Sequence, residues 1–219
     1  MCGRYTLHSK KAAIEQALGA DFADAIEPDY NIGPGRAVAG LRWQRNTGTV
    51  AGMMHWGLRT SRNFIINARL ETADQIHRFR EDWAEHRCLL PANGFYEWLR
   101  TGDRKEAYYF RKADEPLVAF AGICFAVPEV PSGTCCVILT TTANAGVEAI
   151  HNRMPVTLPF ALRDDWLGGS LGKQDLADLA AQTEWSGHPV SPRVNSVRNN
   201  SSDLIIETKH QPDPQMHLL

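Results

Sequence analysis

The sequence predicts an α+β fold, a single domain with an antiparallel, barrel-like β core and peripheral helices. Strand-like runs dominate its 219 residues and come in groups joined by short turns. Helical periodicity falls only between those groups, which is not the βαβ alternation of a parallel sheet. The length suits one β-rich domain and is enough to bury a core without disulfides or metal. No glycine-rich phosphate fingerprint follows any strand, which argues against a nucleotide-cofactor enzyme.

Ser9, then residues 10–18 and Gly19, predict a short helix. Ile14, Ala17 and Leu18 form its apolar stripe, a polar cap precedes it and a glycine stops it. The run 28–35, made of Pro, Gly, Asp, Asn, Tyr and Ile, predicts a loop. Strands are predicted at 37–43 and 49–56, joined by the turn-prone Asn46-Thr47-Gly48. A strand at 63–69 runs into Thr72-Ala73-Asp74-Gln75, a capping-box pattern that predicts a helix with Ile76, Phe79 and Trp83 on its inner face. Strands follow at 95–100, 107–111 and 117–127, and the β-branched run 135–142 predicts another. A short helix is expected around 147–150 and a longer one at 171–182, with Leu176, Leu179 and Ala180 on one side. The last strand-like piece is 190–197. Residues 1–208 form the expected domain, and 209–219 a disordered tail.

A formal net charge of −2 argues against nucleic-acid binding through bulk charge. It leaves room for a local cationic groove, since a few arginines suffice to hold phosphates. Arg4, Arg59, Arg62, Arg69, Arg153, Arg193 and Arg198 are candidates. The cysteines Cys2, Cys88, Cys124, Cys135 and Cys136 are odd in number, include an adjacent pair and form no C-x-x-C, so neither a disulfide framework nor a zinc site is written here. The histidines show no H-x-x-x-H spacing, so no metal and no cofactor are expected. No segment approaches the roughly 20 apolar residues of a membrane span, and the start lacks a signal peptide's apolar region. The expectation is a cytoplasmic monomer without membrane contact.

Four stretches read less like core than like a site. In Met1-Cys2-Gly3-Arg4-Tyr5, removal of Met1 would leave an α-amine and a thiol on one residue. Their unperturbed pKa values are roughly 8 and roughly 8.5, so both have some reactive form near neutral pH. They are spaced to close a five-membered thiazolidine on an aldehyde. In Ile66-Asn67-Ala68-Arg69, Asn67 and Arg69 share a strand face, pointing an amide and a guanidinium the same way. In Phe95-Tyr96-Glu97-Trp98, Glu97 shares its face with Phe95 and Leu99. Burial among apolar neighbours raises a carboxyl pKa and makes Glu97 a candidate proton shuttle. In His151-Asn152-Arg153-Met154-Pro155, a proline-fixed corner holds a histidine, which titrates in the useful range. Singly, each has a plain alternative: a cysteine that merely follows the start, a polar strand face, an edge glutamate, a structural histidine.

Together they are more specific. MCGRYTL, YNIGPG, WGL, INARLET, GFYEW, IHNRMPV and HPVSPRVNSV run in order over almost the whole chain and resemble the SOS response-associated peptidase (SRAP) family of abasic-site-crosslinking proteins. The resemblance implies a barrel-like domain with a groove for single-stranded DNA. It implies loss of Met1 and a covalent thiazolidine between Cys2 and the aldehyde of an abasic site, shielding that site from cleavage in a DNA-damage response. Cys2 would be the nucleophile, Asn67 would position the abasic sugar, Glu97 would manage protons at the Cys2 amine, and His151 would assist opening of the cyclic sugar. Arg4, Arg69 and Arg153 would hold phosphates, and Thr140 would add a backbone contact. Bound to DNA, such a protein would associate with the nucleoid.

One departure is visible. After Trp56-Gly57-Leu58 some family members carry a longer loop whose aromatic wedges the DNA; here Arg59-Thr60-Ser61-Arg62-Asn63 is short and lacks a second tryptophan. Its arginines are expected to contact phosphates instead. Three other readings share part of the pattern. An N-terminal-nucleophile amidohydrolase also opens Met-Cys-Gly but does not account for INARLET, GFYEW and IHNRMPV. A thiol peptidase, acting minimally on its own Met1, would suit the family's name. A plain single-stranded-DNA-binding module is the non-enzymatic alternative.

Overall fold

The computed structural model describes residues 2–44 and 47–208. The first half comprises β1 (Tyr5–Leu7), α1 (Lys11–Leu18), β2 (Asp29–Ile32), β3 (Ala37–Gln44), β4 (Gly48–Trp56), β5 (Leu58–Arg59), β6 (Phe64–Ile65), β7 (Asn67–Arg69), α2 (His77–Glu85) and β8 (Arg87–Ala92). The second comprises β9 (Gly94–Thr101), β10 (Arg104–Arg111), β11 (Val118–Ala126), β12 (Thr134–Thr142), β13 (Arg153–Pro155), β14 (Thr157–Leu158), α3 (Arg163–Leu167), α4 (Lys173–Gln182) and β15 (Ser186–Pro189).

The larger sheet closes on itself. Strands β12, β4, β3, β8 and β11 pair in that order, and β11 pairs again with β12, so a ring forms with β7 and β13 flanking β12 and β14 extending β11. This is the expected α+β barrel-like core. Its pairs are antiparallel except at β12, which runs parallel to β4 and to β7. The second sheet, ordered β15-β10-β9-β1-β2, is antiparallel throughout.

Strand β9 shows why one face of this second sheet meets the main core. Phe95 stacks on Phe110 at 5.1 Å between centroids and meets the edges of Trp185 and Phe120. Burying a ring of this size stabilises the fold by about 1.5–3 kcal/mol. The alternate residues Tyr96 and Tyr109 point the other way, into a smaller cluster with Val190, Val194 and Leu204 from the C-terminal segment. Glu97 lies two residues from Phe95 and so faces the main core.

Several local expectations are corrected. Residues Asp29–Ile32 are a strand, not a loop, because they pair with β1 on the edge of the second sheet. Ser9 does not cap α1; its hydroxyl accepts from Asn93 Nδ2 at 2.7 Å, and Lys10 stands at the cap position. The glycine stop is present, Gly19 adopting φ 62°. The capping-box residues 72–75 form turns, and α2 starts at His77 with Ile76 exposed. Asp74 instead pairs with Lys173 at 2.8 Å. Strand β8 was not expected from sequence: it is buried on both faces, which erases alternation. Its Pro91 lies beyond the stretch that pairs with β3. The helix expected near 147–150 is a short turn, closed by Val147 and Glu148 N–H donating to the Asn144 carbonyl. The strand expected at 190–197 is displaced to β15, and Pro192–Asn195 form a 3₁₀ turn, consistent with proline's missing N–H. Asn46 and the expected tail 209–219 lie outside the described residues.

Candidate active site at the N-terminus

Pairing of β1 with β9 sets Tyr5 opposite Phe95, and the Tyr96 N–H donates to the Arg4 carbonyl at 2.9 Å. Cys2 precedes the strand and departs from its alternation: it packs into the main core cluster, near enough to Glu97 for that carboxylate to act on its thiol. Cys2 is fully buried. Burial pushes its thiol pKa up, the neighbouring Glu97 charge adds to that, and the Arg4 backbone N–H pulls the other way. A buried, protonated thiol is a poor nucleophile toward chance electrophiles.

Asn67, the first residue of β7, is brought in by the parallel pairing of β7 with β12. Its Nδ2 donates to the Cys2 carbonyl at 2.8 Å. Its Oδ1 is buried and accepts no hydrogen bond from the described residues. Such an acceptor costs about 1–3 kcal/mol, which a hydroxyl donor entering the site would recover.

Glu97 is 3% exposed and His151 sits nearer the surface, with Nδ1 3.9 Å from Glu97 Oε1. Burial raises the Glu97 pKa, and the positive charge available at His151 offsets part of that rise. The His151 corner is anchored from behind. Asn144 Nδ2 donates to the carbonyls of Ala180 and Thr183 at the end of α4, and its Oδ1 accepts from Gly146 N. The turn then closes with His151 N–H on the Val147 carbonyl. The backbone N–H of Arg153 donates to His151 Nδ1 at 3.0 Å. In that bond Nδ1 is the acceptor, while the Arg153 carbonyl, 3.1 Å from the same nitrogen, accepts from it when Nδ1 carries a proton. The structure thus brings Cys2, Asn67, Glu97 and His151 to one place.

The four expected DNA contacts differ more. Arg69 is exposed on β7. Arg4 Nη1 donates to Asn31 Oδ1 at 2.6 Å and to the Val194 carbonyl at 2.9 Å, with its guanidinium 5.9 Å from the Trp98 ring. Arg153 is held in a fork: Nη1 and Nη2 reach the two carboxylate oxygens of Glu71 at 2.7 and 2.9 Å, and Nη2 also donates to the Thr140 carbonyl. Thr140 is fully buried, and its carbonyl also accepts from Leu70 N, so its place is behind Arg153 and not on the surface. The short loop after Trp56 is a hairpin of β5 and β6. It carries an aromatic the sequence reading passed over: Phe64, 41% exposed, with the Arg59 guanidinium 5.2 Å above its ring.

Sequence reasoning gave no role to three further residues, although Glu71 follows closely on the Asn67 and Arg69 stretch. Asn31 donates to the carbonyls of Val194, Ser196 and Asn199 while accepting from Arg4, so it ties YNIGPG to HPVSPRVNSV. Glu71 holds the Arg153 guanidinium, and Asn144 ties the turn before His151 to the end of α4. Glu71 lies inside INARLET and Asn31 inside YNIGPG, but only the fold says what they hold. Among the described residues no group of three or more His, Cys, Asp or Glu could hold a metal ion, and no helix is long and apolar enough to cross a membrane.

Comparisons with known proteins agree in one direction. The family model for the SOS response associated peptidase (SRAP) matches residues 1–197. The abasic site processing protein YoqW of Bacillus subtilis (strain 168) is 32% identical over 94% of this chain and 99% of its own length. The abasic site processing protein YedK of Escherichia coli (strain K12) is 28% identical over 94% and 99%. The abasic site processing protein HMCES of Mus musculus is 25% identical over 94% of this chain and 75% of its own. Among solved structures, a protein of Bacteroides thetaiotaomicron superposes with a TM-score of 0.78 at 20% identity, covering 94% of this chain and all of that one. That likeness bears on the fold.

Proposed function

The chain belongs to the SOS response-associated peptidase family, and from that premise we propose that it captures abasic sites in single-stranded DNA by a covalent link to Cys2. One observation carries the reading: Asn67 Nδ2 bonds the Cys2 carbonyl. That bond fixes the second residue of the chain in a site that also contains Glu97 and His151.

The chemistry follows from the side chains. With Met1 removed, Cys2 presents an α-amine and a thiol. An abasic deoxyribose is mostly a ring-closed hemiacetal, so a proton must reach the ring oxygen while the anomeric hydroxyl gives one up as the ring opens to the aldehyde; His151, in its protonated form, would be the donor to the ring oxygen. The amine adds to the carbonyl carbon to give a carbinolamine. Loss of water, with a proton delivered to the departing hydroxyl, gives the imine. The thiol then adds to the imine carbon and its proton ends on the nitrogen. Aldehyde, amine and thiol become one thiazolidine and one water. Glu97, whose pKa burial has raised, would carry protons between the amine and the hydroxyl. Tethering the thiol beside the imine carbon contributes up to roughly 7–11 kcal/mol by proximity, which offsets the low reactivity of a protonated thiol. Asn67 Oδ1 would accept from a sugar hydroxyl. Arg69 would hold a phosphate without reading sequence, which suits a lesion that has no base.

The test is a denaturing gel of purified protein with abasic and intact oligonucleotides of the same sequence. A slow-migrating covalent species with the abasic strand alone supports the proposal. Binding to both strands with no covalent species would reduce the protein to a single-stranded-DNA-binding module.

A further inference from the structure

We propose that Glu71 is a positioning residue of this site, a brace that sets the orientation and tautomer of His151 by holding Arg153. The inference rests on the reading that His151 serves the abasic-site reaction, and it concerns a residue outside the Cys2, Asn67, Glu97 and His151 group.

Three elements meet at the Glu71 carboxylate. Glu71 follows β7, the strand that carries Asn67. Its Oε1 accepts from Thr141 Oγ1 of β12 at 3.1 Å and from Arg153 Nη1 of β13 at 2.7 Å, and its Oε2 accepts from Arg153 Nη2 at 2.9 Å. The Arg153 fork is also pinned from below by the Thr140 carbonyl. A bidentate carboxylate–guanidinium pair fixes angle as well as distance, and the arginine half is mostly sheltered, at 14% side-chain exposure against 43% for Glu71. Burial alone would push the Glu71 pKa up, but the Arg153 hydrogen bonds outweigh it and hold it down to about 2. The carboxylate stays charged across the working range of a protein.

What the brace holds is the start of a short strand. β13 is three residues long and ends in Pro155, which has no N–H to give. The ladder pairs Arg153 with Thr142, yet the Arg153 N–H does not serve the ladder; it donates to His151 Nδ1. The same nitrogen of His151 lies 3.1 Å from the Arg153 carbonyl. Whether Nδ1 accepts from the amide or donates to the carbonyl therefore depends on how the backbone on the two sides of the Arg153 Cα is turned. The Arg153 side chain, clamped by Glu71, is the anchor that turns it. The sequence spacing is consistent: Glu71 stands four residues after Asn67, and Arg153 two after His151, so one ion pair ties both segments together.

The test uses Glu71→Gln and Glu71→Ala in the full chain with two readouts. The first is long-range ¹H–¹⁵N NMR of the His151 ring without DNA, which reports the tautomer and needs no reaction. The second is single-turnover adduct formation on an abasic oligonucleotide, with affinity for the intact oligonucleotide measured beside it. Wild type should hold the Nε2–H tautomer. Both variants should show a mixture, Ala more than Gln, with adduct formation slower by about ten- to hundredfold and affinity for the intact strand little changed. An unchanged His151 tautomer in both variants would overturn the proposal. So would tighter binding of the intact strand with an undiminished rate, which would make Glu71 a competitor of phosphate at Arg153. A disturbed tautomer with an undiminished rate would support the brace and count against His151 in the reaction, so the two failures are distinguishable.

Discussion

His151 Nδ1 lies 3.9 Å from Glu97 Oε1, a surface-side imidazole facing a carboxylate buried in the wall of the site. The two arrive from unrelated parts of the chain. Glu97 comes from the core-facing side of β9, and His151 from a turn that Asn144 fastens to the end of α4. Burial raises the Glu97 pKa above its ordinary 4.5, and the charge of His151 lowers it in part. A raised folded-state pKa favours the protonated carboxyl. Its contribution to stability is fully present below the unfolded value and is lost as pH rises through the folded value. Wild type should therefore lose stability relative to Glu97→Gln as pH rises past 4.5. Thermal melts of both proteins from about pH 4 to about pH 8 measure this, and a constant difference over that range would mean that Glu97 is not desolvated.

The same substitution keeps the shape of Glu97 and removes its proton exchange. Adduct formation should slow by about 10²–10⁴-fold, the usual contribution of a general acid–base group, with little change in affinity for intact single strands. A time course followed at several pH values checks it. Equal rates for Glu97→Gln and wild type throughout would leave Glu97 with a packing role only.

The arginines should separate by their partners. Arg69 is exposed, so Arg69→Ala should weaken binding alike for all sequences and lower the salt slope by about 0.7, one phosphate's share on a single strand. Arg4→Ala should lower the melting temperature as well, since Asn31 Oδ1 loses its Arg4 donor and the Val194 carbonyl loses one of its two. Salt titrations beside melting curves distinguish the two. A change in sequence preference for Arg69→Ala would point to a base contact instead.

Asn31→Ala should be costly for its size. It leaves the Val194, Ser196 and Asn199 carbonyls without their shared donor and strips Arg4 of an acceptor. The expected loss is about 2–4 kcal/mol, read by urea unfolding. A loss below about 0.5 kcal/mol, the range of an ordinary surface change, would mean that this junction is not a support of the fold.

Much of this was legible in the sequence, for physical reasons that differ by residue. Strands such as β3 and β11 announce themselves through β-branched and apolar runs bounded by turn residues. Glu97 could be placed because alternation along a strand puts it on the face of Phe95. β8 was hidden because a strand buried on both faces has no period to read, and its proline argues against a strand until the partner is known. β15 was misplaced because Val190 and Val194 are apolar for the sake of a cluster under Tyr96 and Tyr109, not of a ladder. At the site, Cys2, Asn67, Glu97 and His151 could be named from residue type and motif. The roles of Asn31, Glu71 and Asn144 could not, because their partners lie up to 168 residues away and side-chain hydrogen bonds leave no periodic trace.

The central claim is tested most directly by intact-mass and peptide-mapping analysis of the covalent species formed with an abasic oligonucleotide. The account expects a protein that begins at Cys2, an adduct mass equal to protein plus oligonucleotide less one water, the link on residue 2, and a Cys2 thiol no longer open to alkylation. Cys2→Ala should give no stable adduct while still binding the strand. An adduct carried by a lysine, or one formed equally well by Cys2→Ala or by protein that retains Met1, would contradict it.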